Sequence, residues 1–294
     1  MQSATSVANK RIISGLGHRT LLTSVRFKIK EALPTIFEVA YPVIDPRTEM
    51  MSALSLLRFQ EIDALPLSFE TDRNHRAIAG ASCLVRLLHL KTKDLQKFLK
   101  QPCVSASDRL PTVRSEQNLS VLLDTFLETR FGFARVVEKR RVGALARLRD
   151  FLGLYETGRL ETDLLVEDVA TPIFSLPGKT KVRAALEKML EMHSRRVFIS
   201  GTKSFVWDRG IIDRLFSPGV LARAARNPSR DFLGMPLSEF ERLPAIEVKP
   251  GTRVNDLAGL IRLQRGQCFV SDGKVVTPWD VVMKPWKANA LNIR

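Results

Sequence analysis

The sequence predicts an α/β (α+β) protein of four β-α-β-β-α units packed in two pairs. Two observations carry this expectation. A proline-led pattern recurs four times, and inside each recurrence helical periodicity gives way to short strands. The 294 residues, 45% hydrophobic and 26% charged, suffice for about two domains with real cores. That composition excludes a mainly disordered or collagen-like chain. The apolar runs fall far short of the ~18 residues of a membrane-spanning helix.

The elements follow in chain order. Residues 1–30 form a basic arm carrying Lys10, Arg11, Arg19, Arg26, Lys28 and Lys30 and no acid. Tyr41-Pro42-Val43-Ile44-Asp45-Pro46 leads into a helical run over 50–60, and Leu110-Pro111-Thr112-Val113 into one over 119–129. Thr171-Pro172-Ile173-Phe174-Ser175-Leu176-Pro177-Gly178 leads into 182–192, where Val182, Ala185, Leu186 and Met189 share one face. Leu243-Pro244-Ala245-Ile246-Glu247-Val248-Lys249-Pro250-Gly251 leads into 254–263. After the third helix, 197–199 and 204–207 read as a hairpin, with a second helix over 210–216. After the fourth, 268–270 and 275–277 read as a hairpin turned by Asp272-Gly273. A lone 60-residue unit buries only a thin core, so units of this class pair sheet against sheet. The pairs span 31–160 and 161–294, joined by a polar linker at 155–162 containing Gly158.

The residues at this point resemble the cystathionine-β-synthase (CBS) domain family. The third unit carries Val166-Glu167-Asp168-Val169-Ala170-Thr171-Pro172 and later His193-Ser194-Arg195-Arg196-Val197, similar to the family's V-x-D-x-M-T-P and H-x-R-R-h-P-V. Ala170 replaces the usual Met, and Phe198 stands where Pro is common. The fourth unit resembles the family through 248–254 and its ending; the first two are divergent. The resemblance covers 32–292 and implies two CBS pairs, or Bateman modules, assembled as a disc.

The resemblance also implies where an adenine nucleotide or S-adenosylmethionine would bind. The family's signature is G-h-x-[TS]-x-x-D, at the junction of the third strand and second helix. A helix N-terminus offers free N–H groups to phosphate, the hydroxyl adds a donor, and the Asp accepts from ribose. In unit 4, Thr277 and Asp280 fit, with Ile246 and Val248 expected to flank the adenine. In unit 1, Val85 or Arg86 takes the Asp position. Unit 2 has Arg147 in place of Thr, although Asp150 is kept, and unit 3 has Ile211 in place of Asp. A ligand-free reading of unit 4 is equally simple: Thr277 caps a helix, Pro278 is its first residue and Asp280 faces the dipole.

The net charge is +15. The arm contributes +6 of it, 31–160 contributes +3 and 161–294 contributes +6. Such an excess is the footprint of a polyanionic partner. Candidate RNA contacts are the arm, Lys139, Arg140, Arg141, Arg195, Arg196, and the tail residues Lys284, Lys287 and Arg294, with Trp286 free to stack. An Arg- and Ser-rich, acid-free N-terminus also fits a cleaved transit peptide. Cys83, Cys103 and Cys268 lie outside any metal or redox motif and read as buried thiols. No catalytic constellation or metal site is apparent, and no required cofactor. The main expectation is a non-enzymatic cytoplasmic RNA- or ribosome-binding protein. Charge and implied architecture resemble archaeal four-CBS proteins that occupy idle ribosomes and block translation (hibernation). The alternative is a regulator sensing an adenine nucleotide or S-adenosylmethionine and acting on a protein partner. DNA binding ranks below RNA, for want of a helix-turn-helix.

Overall fold

The computed structural model describes residues 27–39, 41–59, 64–68, 75–138, 141–227, 231–264 and 268–293. All four units have the predicted order. Their first helices are Met50–Phe59, Leu119–Thr129, Val182–Glu191 and Val254–Leu263. In units 3 and 4 the hairpins are Arg196–Ile199 with Ser204–Trp207, and Phe269–Ser271 with Lys274–Val276. Asp272 and Gly273 turn the latter, both at positive φ (47° and 69°), as a two-residue primed turn requires.

The proline-led segments of units 2, 3 and 4 serve two sheets each. Thr171–Pro172 pairs with the unit 4 strand at Lys274 and Val275, while Ser175–Leu176 runs parallel to its own unit's Phe198 and Ile199. Reciprocally, Leu243–Pro244 pairs with unit 3 and Ile246–Glu247 with unit 4. Proline is tolerated because these are edge strands, where a missing N–H breaks no ladder. In the first module Asp108–Arg109 joins the unit 1 sheet, and Thr112–Arg114 starts the unit 2 sheet.

Four apolar clusters close the units into a ring. The unit 1 and 2 sheets meet over Ala64, Ala77, Leu110, Phe133 and Leu145, and those of units 3 and 4 over Phe198, Phe205, Cys268 and Val275. The helices of units 1 and 3 share Met50, Leu54, Leu87, Leu186 and Leu215. Those of units 2 and 4 share Leu122, Phe126, Phe151, Leu257 and Val281. Each unit thus covers its sheet with one neighbour and its helices with another, which solves the thin-core problem of a 60-residue unit.

Three expectations change. The arm ends earlier than residue 30: Lys28 bridges Asn118, and the turn Ile29–Ala32 docks on unit 2 with Ile29 fully buried, because Phe27 and Ile29 are apolar enough to join that core. The stretch 155–162 is tied down: Leu160–Glu161 pairs with Asn292–Ile293, and Tyr155 donates its hydroxyl to the Val281 carbonyl at 2.8 Å. Short helices absent from the sequence reading, Leu95–Lys100 and Pro218–Arg226, fill the connections between units.

Candidate nucleotide site

Thr277 is extended (φ −126°, ψ 168°) and precedes a helix over Pro278–Lys287. Asp280 is its third residue, where a carboxylate reaches back to the helix start. Its Oδ2 accepts from the Thr277 backbone N–H (2.9 Å) and hydroxyl (2.7 Å). Its Oδ1 accepts from the Thr171 hydroxyl at 2.7 Å, across the unit boundary. Lys284, one turn on, places its ammonium 3.0 Å from the same oxygen. That ammonium also donates to Thr171 Oγ1 (2.7 Å) and to the Val169 carbonyl. The Asp280 side chain is 5% exposed and that of Lys284 36%.

Opposite lies the start of the unit 3 hairpin. Arg195 pairs with buried Asp208 at 2.6 Å, and Asp208 also accepts the Arg209 backbone N–H. Arg196 lies over the Phe205 ring, 5.9 Å from its centroid, and its Nε is buried without a partner among the described residues. Burial pulls the Arg196 pKa below its ordinary value, a pull opposed by Cys268, Asp208 and Asp280. The Cys268 thiol is itself pushed up to about 11 by burial. A cavity of about 230 Å³ sits at the far end of this hairpin, lined among others by Ile173, Phe198, Thr202, Lys203, Ala245 and Glu247. Lys203 and Glu247 pair there at 2.5 Å.

Ile246 and Val248 pack against the helical core of units 2 and 4, and the strand's alternation turns Ala245 and Glu247 to the cavity instead. The residue equivalent to Asp280, third in its helix, is Ser82 in unit 1 and Gly210 in unit 3, not Val85, Arg86 or Ile211. In unit 2, Asp150 keeps the role. It takes the Arg147 N–H and the guanidinium, each at 2.7 Å, and that guanidinium lies 5.7 Å from the Tyr41 ring.

The expected RNA contacts divide. Lys28 and Lys287 are exposed and Lys30 is half-buried. Arg195 is paired with Asp208 and Lys284 with Asp280, though both side chains keep solvent exposure, and Arg196 Nε is buried. Trp286 is not free: it donates to Asp124 at 2.9 Å and packs on the core. Arg141 lies in the strand Arg141–Arg147. Lys10, Arg11, Arg19, Arg26, Lys139, Arg140 and Arg294 fall outside the described residues. Thr171 and Arg196 are not read from the sequence as nucleotide-site residues, Arg196 being expected only as an RNA contact, although both stand in the segments that carry the family resemblance. Lys284, four residues after Asp280 on the same helix face, could have been found from spacing alone. Among the described residues no cluster of three His, Cys, Asp or Glu could hold a metal, and no helix is long and apolar enough to cross a membrane.

Comparison with protein-family models and with curated proteins finds no match. Solved structures do match. A Methanocaldococcus jannaschii protein proposed as an archaeal homologue of γ-AMPK superposes with a TM-score of 0.73 at 15% identity, over 86% of this chain and 99% of its own. A CBS-domain protein from Pyrobaculum aerophilum, complexed with AMP, aligns over 42% of this chain and 90% of its own at 12% identity, with a TM-score of 0.34. One from Agrobacterium tumefaciens covers 43% of this chain and 98% of its own at 14% identity, with a TM-score of 0.36. The fold is that of a tandem CBS protein, four units in two Bateman modules, of the γ-AMPK-like type.

Proposed function

We propose that the protein is a regulatory CBS disc whose state responds to an anionic adenine nucleotide at the junction of units 3 and 4. The observation that carries this reading is the pairing of Asp280, a shared acceptor at a helix start, with the partnerless buried Nε of Arg196 across the same junction. A buried guanidinium nitrogen without an acceptor is costly, and a phosphate oxygen satisfies it well. A carboxylate at Asp280 suits a ribose hydroxyl. S-adenosylmethionine, which carries a sulfonium, suits a junction holding Arg195 and Arg196 less well. Calorimetric titration of the full chain with AMP, ATP and S-adenosylmethionine tests this. AMP or ATP binds and raises the melting temperature, S-adenosylmethionine does not, and Asp280→Asn loses the response. Absence of binding by either nucleotide at millimolar concentration rejects the reading.

A second reading rests on the charge of +15. A surface of that excess binds RNA, and the ribosome is its most abundant bearer. Co-sedimentation with ribosomes, steeply lost between about 50 and 200 mM salt, supports this reading; failure to pellet at low salt removes it.

A further inference from the structure

We infer that Lys284 is an internal ligand of the unit 4 site: its ammonium holds the Asp280 oxygen that a bound sugar hydroxyl would need, and a nucleotide must displace it. The inference rests on the nucleotide reading above. A carboxylate offers about four acceptor positions, and here they are taken by the Thr277 N–H, the Thr277 hydroxyl, the Thr171 hydroxyl and Lys284. Three of these donors are fixed. The Thr277 groups belong to the helix start, and Thr171 lies in a strand paired to Val275. Lys284 alone is held by a flexible chain, and at 36% exposure its ammonium has a route to solvent. Displacement therefore costs the ion pair and the ammonium's bonds to Thr171 Oγ1 and the Val169 carbonyl, but moves no backbone segment.

Unit 2 shows the arrangement independently. Asp150 holds the same helical position and is likewise covered by a cation of the chain, Arg147. The two units with Asp at this position both carry an internal cation on it. The two with Ser82 or Gly210 have no carboxylate to cover. Arg147 is bidentate with Asp150 and lies over Tyr41, so it is the harder to displace. Lys284 makes a single contact of 3.0 Å with its carboxylate. Unit 4 is thus the site a ligand can open, and Lys284 sets how much ligand is required.

The test compares AMP binding by the native full chain, Lys284→Met and Lys284→Arg in calorimetry. Lys284→Met is expected to bind AMP at least about tenfold more tightly than native, whereas Lys284→Arg, which keeps the cation, stays near native. If Lys284→Met unfolds by circular dichroism, Lys284→Gln replaces it with the same expectation. Native binding without tightening in the neutral variants overturns the internal ligand and leaves the nucleotide reading intact. No AMP binding by any of the proteins overturns both.

Discussion

The hydroxyl of Thr171 lies 2.7 Å from Oδ1 of Asp280, two residues 109 positions apart in sequence that belong to different repeat units. This contact joins the proline-led segment of unit 3 to the second helix of unit 4, beside the strand pair Thr171 and Val275. Asp280→Ala removes it together with the helix-start bonds, and leaves Lys284 without its carboxylate. A lost cap costs roughly 0.5–2 kcal/mol and a broken buried pair more; the partial exposure of Lys284 reduces the second figure. The expected loss of stability in urea is about 2 kcal/mol. A loss below about 0.5 kcal/mol would mean that the carboxylate network is not formed.

Gly210 and Gly219 both lie in helices, yet substitution should move stability in opposite directions. A Cβ on Gly210 would meet the Trp207 indole at 2.8 and 2.9 Å, while one on Gly219 meets nothing within 4 Å. Trp207 is held beneath the Arg209 guanidinium, 5.6 Å from its ring centroid, so the clash is not relieved by a flexible chain end. Alanine gains up to about 1 kcal/mol over glycine in a helix. Gly219→Ala should therefore raise the melting temperature. Gly210→Ala should lower it, with the overpacking cost of about 1–3 kcal/mol exceeding the propensity gain. A raised value for both would show that Trp207 moves freely.

These residues also show how much of the molecule the sequence declares. The first helices of all four units, the Asp272-Gly273 turn and the pairing order follow from periodicity and punctuation, because those signals are local. The exchange of Thr171–Pro172 and Leu243–Pro244 between sheets is not local: a two-residue strand carries no pattern that says which sheet it will join. At the site, Thr277 and Asp280 were legible from their motif. That Ile246 and Val248 pack on the helical core while Ala245 and Glu247 line the cavity is not legible in the sequence, because a strand's two faces swap with a one-residue change of frame. The burial of Arg196 Nε beside the Phe205 ring is not legible either, because sequence does not show how the sheets of units 3 and 4 meet.

The thiols offer a pH test with a definite sign. Burial pushes Cys83 up to about 12 and Cys268 to about 11, against an ordinary value of 9.0, and raises Cys103 too. In the native protein these groups stay protonated where the unfolded chain has released its protons. The unfolded state then binds fewer protons, so stability falls as pH rises from about 9 to 11. Below about pH 8 the thiols contribute no pH dependence. Urea midpoints measured across that range should decline, and replacing Cys268 by Ala should flatten part of the decline. Maleimide at pH 7.5 should label the native protein slowly and the denatured protein at all three positions. Rapid labelling of Cys83 in the native state would contradict its burial.

Tyr155 tests the closure of the ring between units 2 and 4. Its side chain is buried, and its hydroxyl donates to the Val281 carbonyl at 2.8 Å, 126 residues away. Val281 lies in the helix that carries Asp280, so this bond anchors the site's helix to the end of the first module. Tyr155→Phe keeps the ring and its packing while deleting the donor. A neutral buried hydrogen bond contributes about 1 kcal/mol net, and an acceptor left dry costs somewhat more. The variant should lose about 1–1.5 kcal/mol in urea with an unchanged m-value, since the surface exposed on unfolding is the same. A lower m-value would instead mean that the two modules unfold separately once this bond is gone. A loss within about 0.3 kcal/mol of zero would show that the hydroxyl does not tie the helix across the interface.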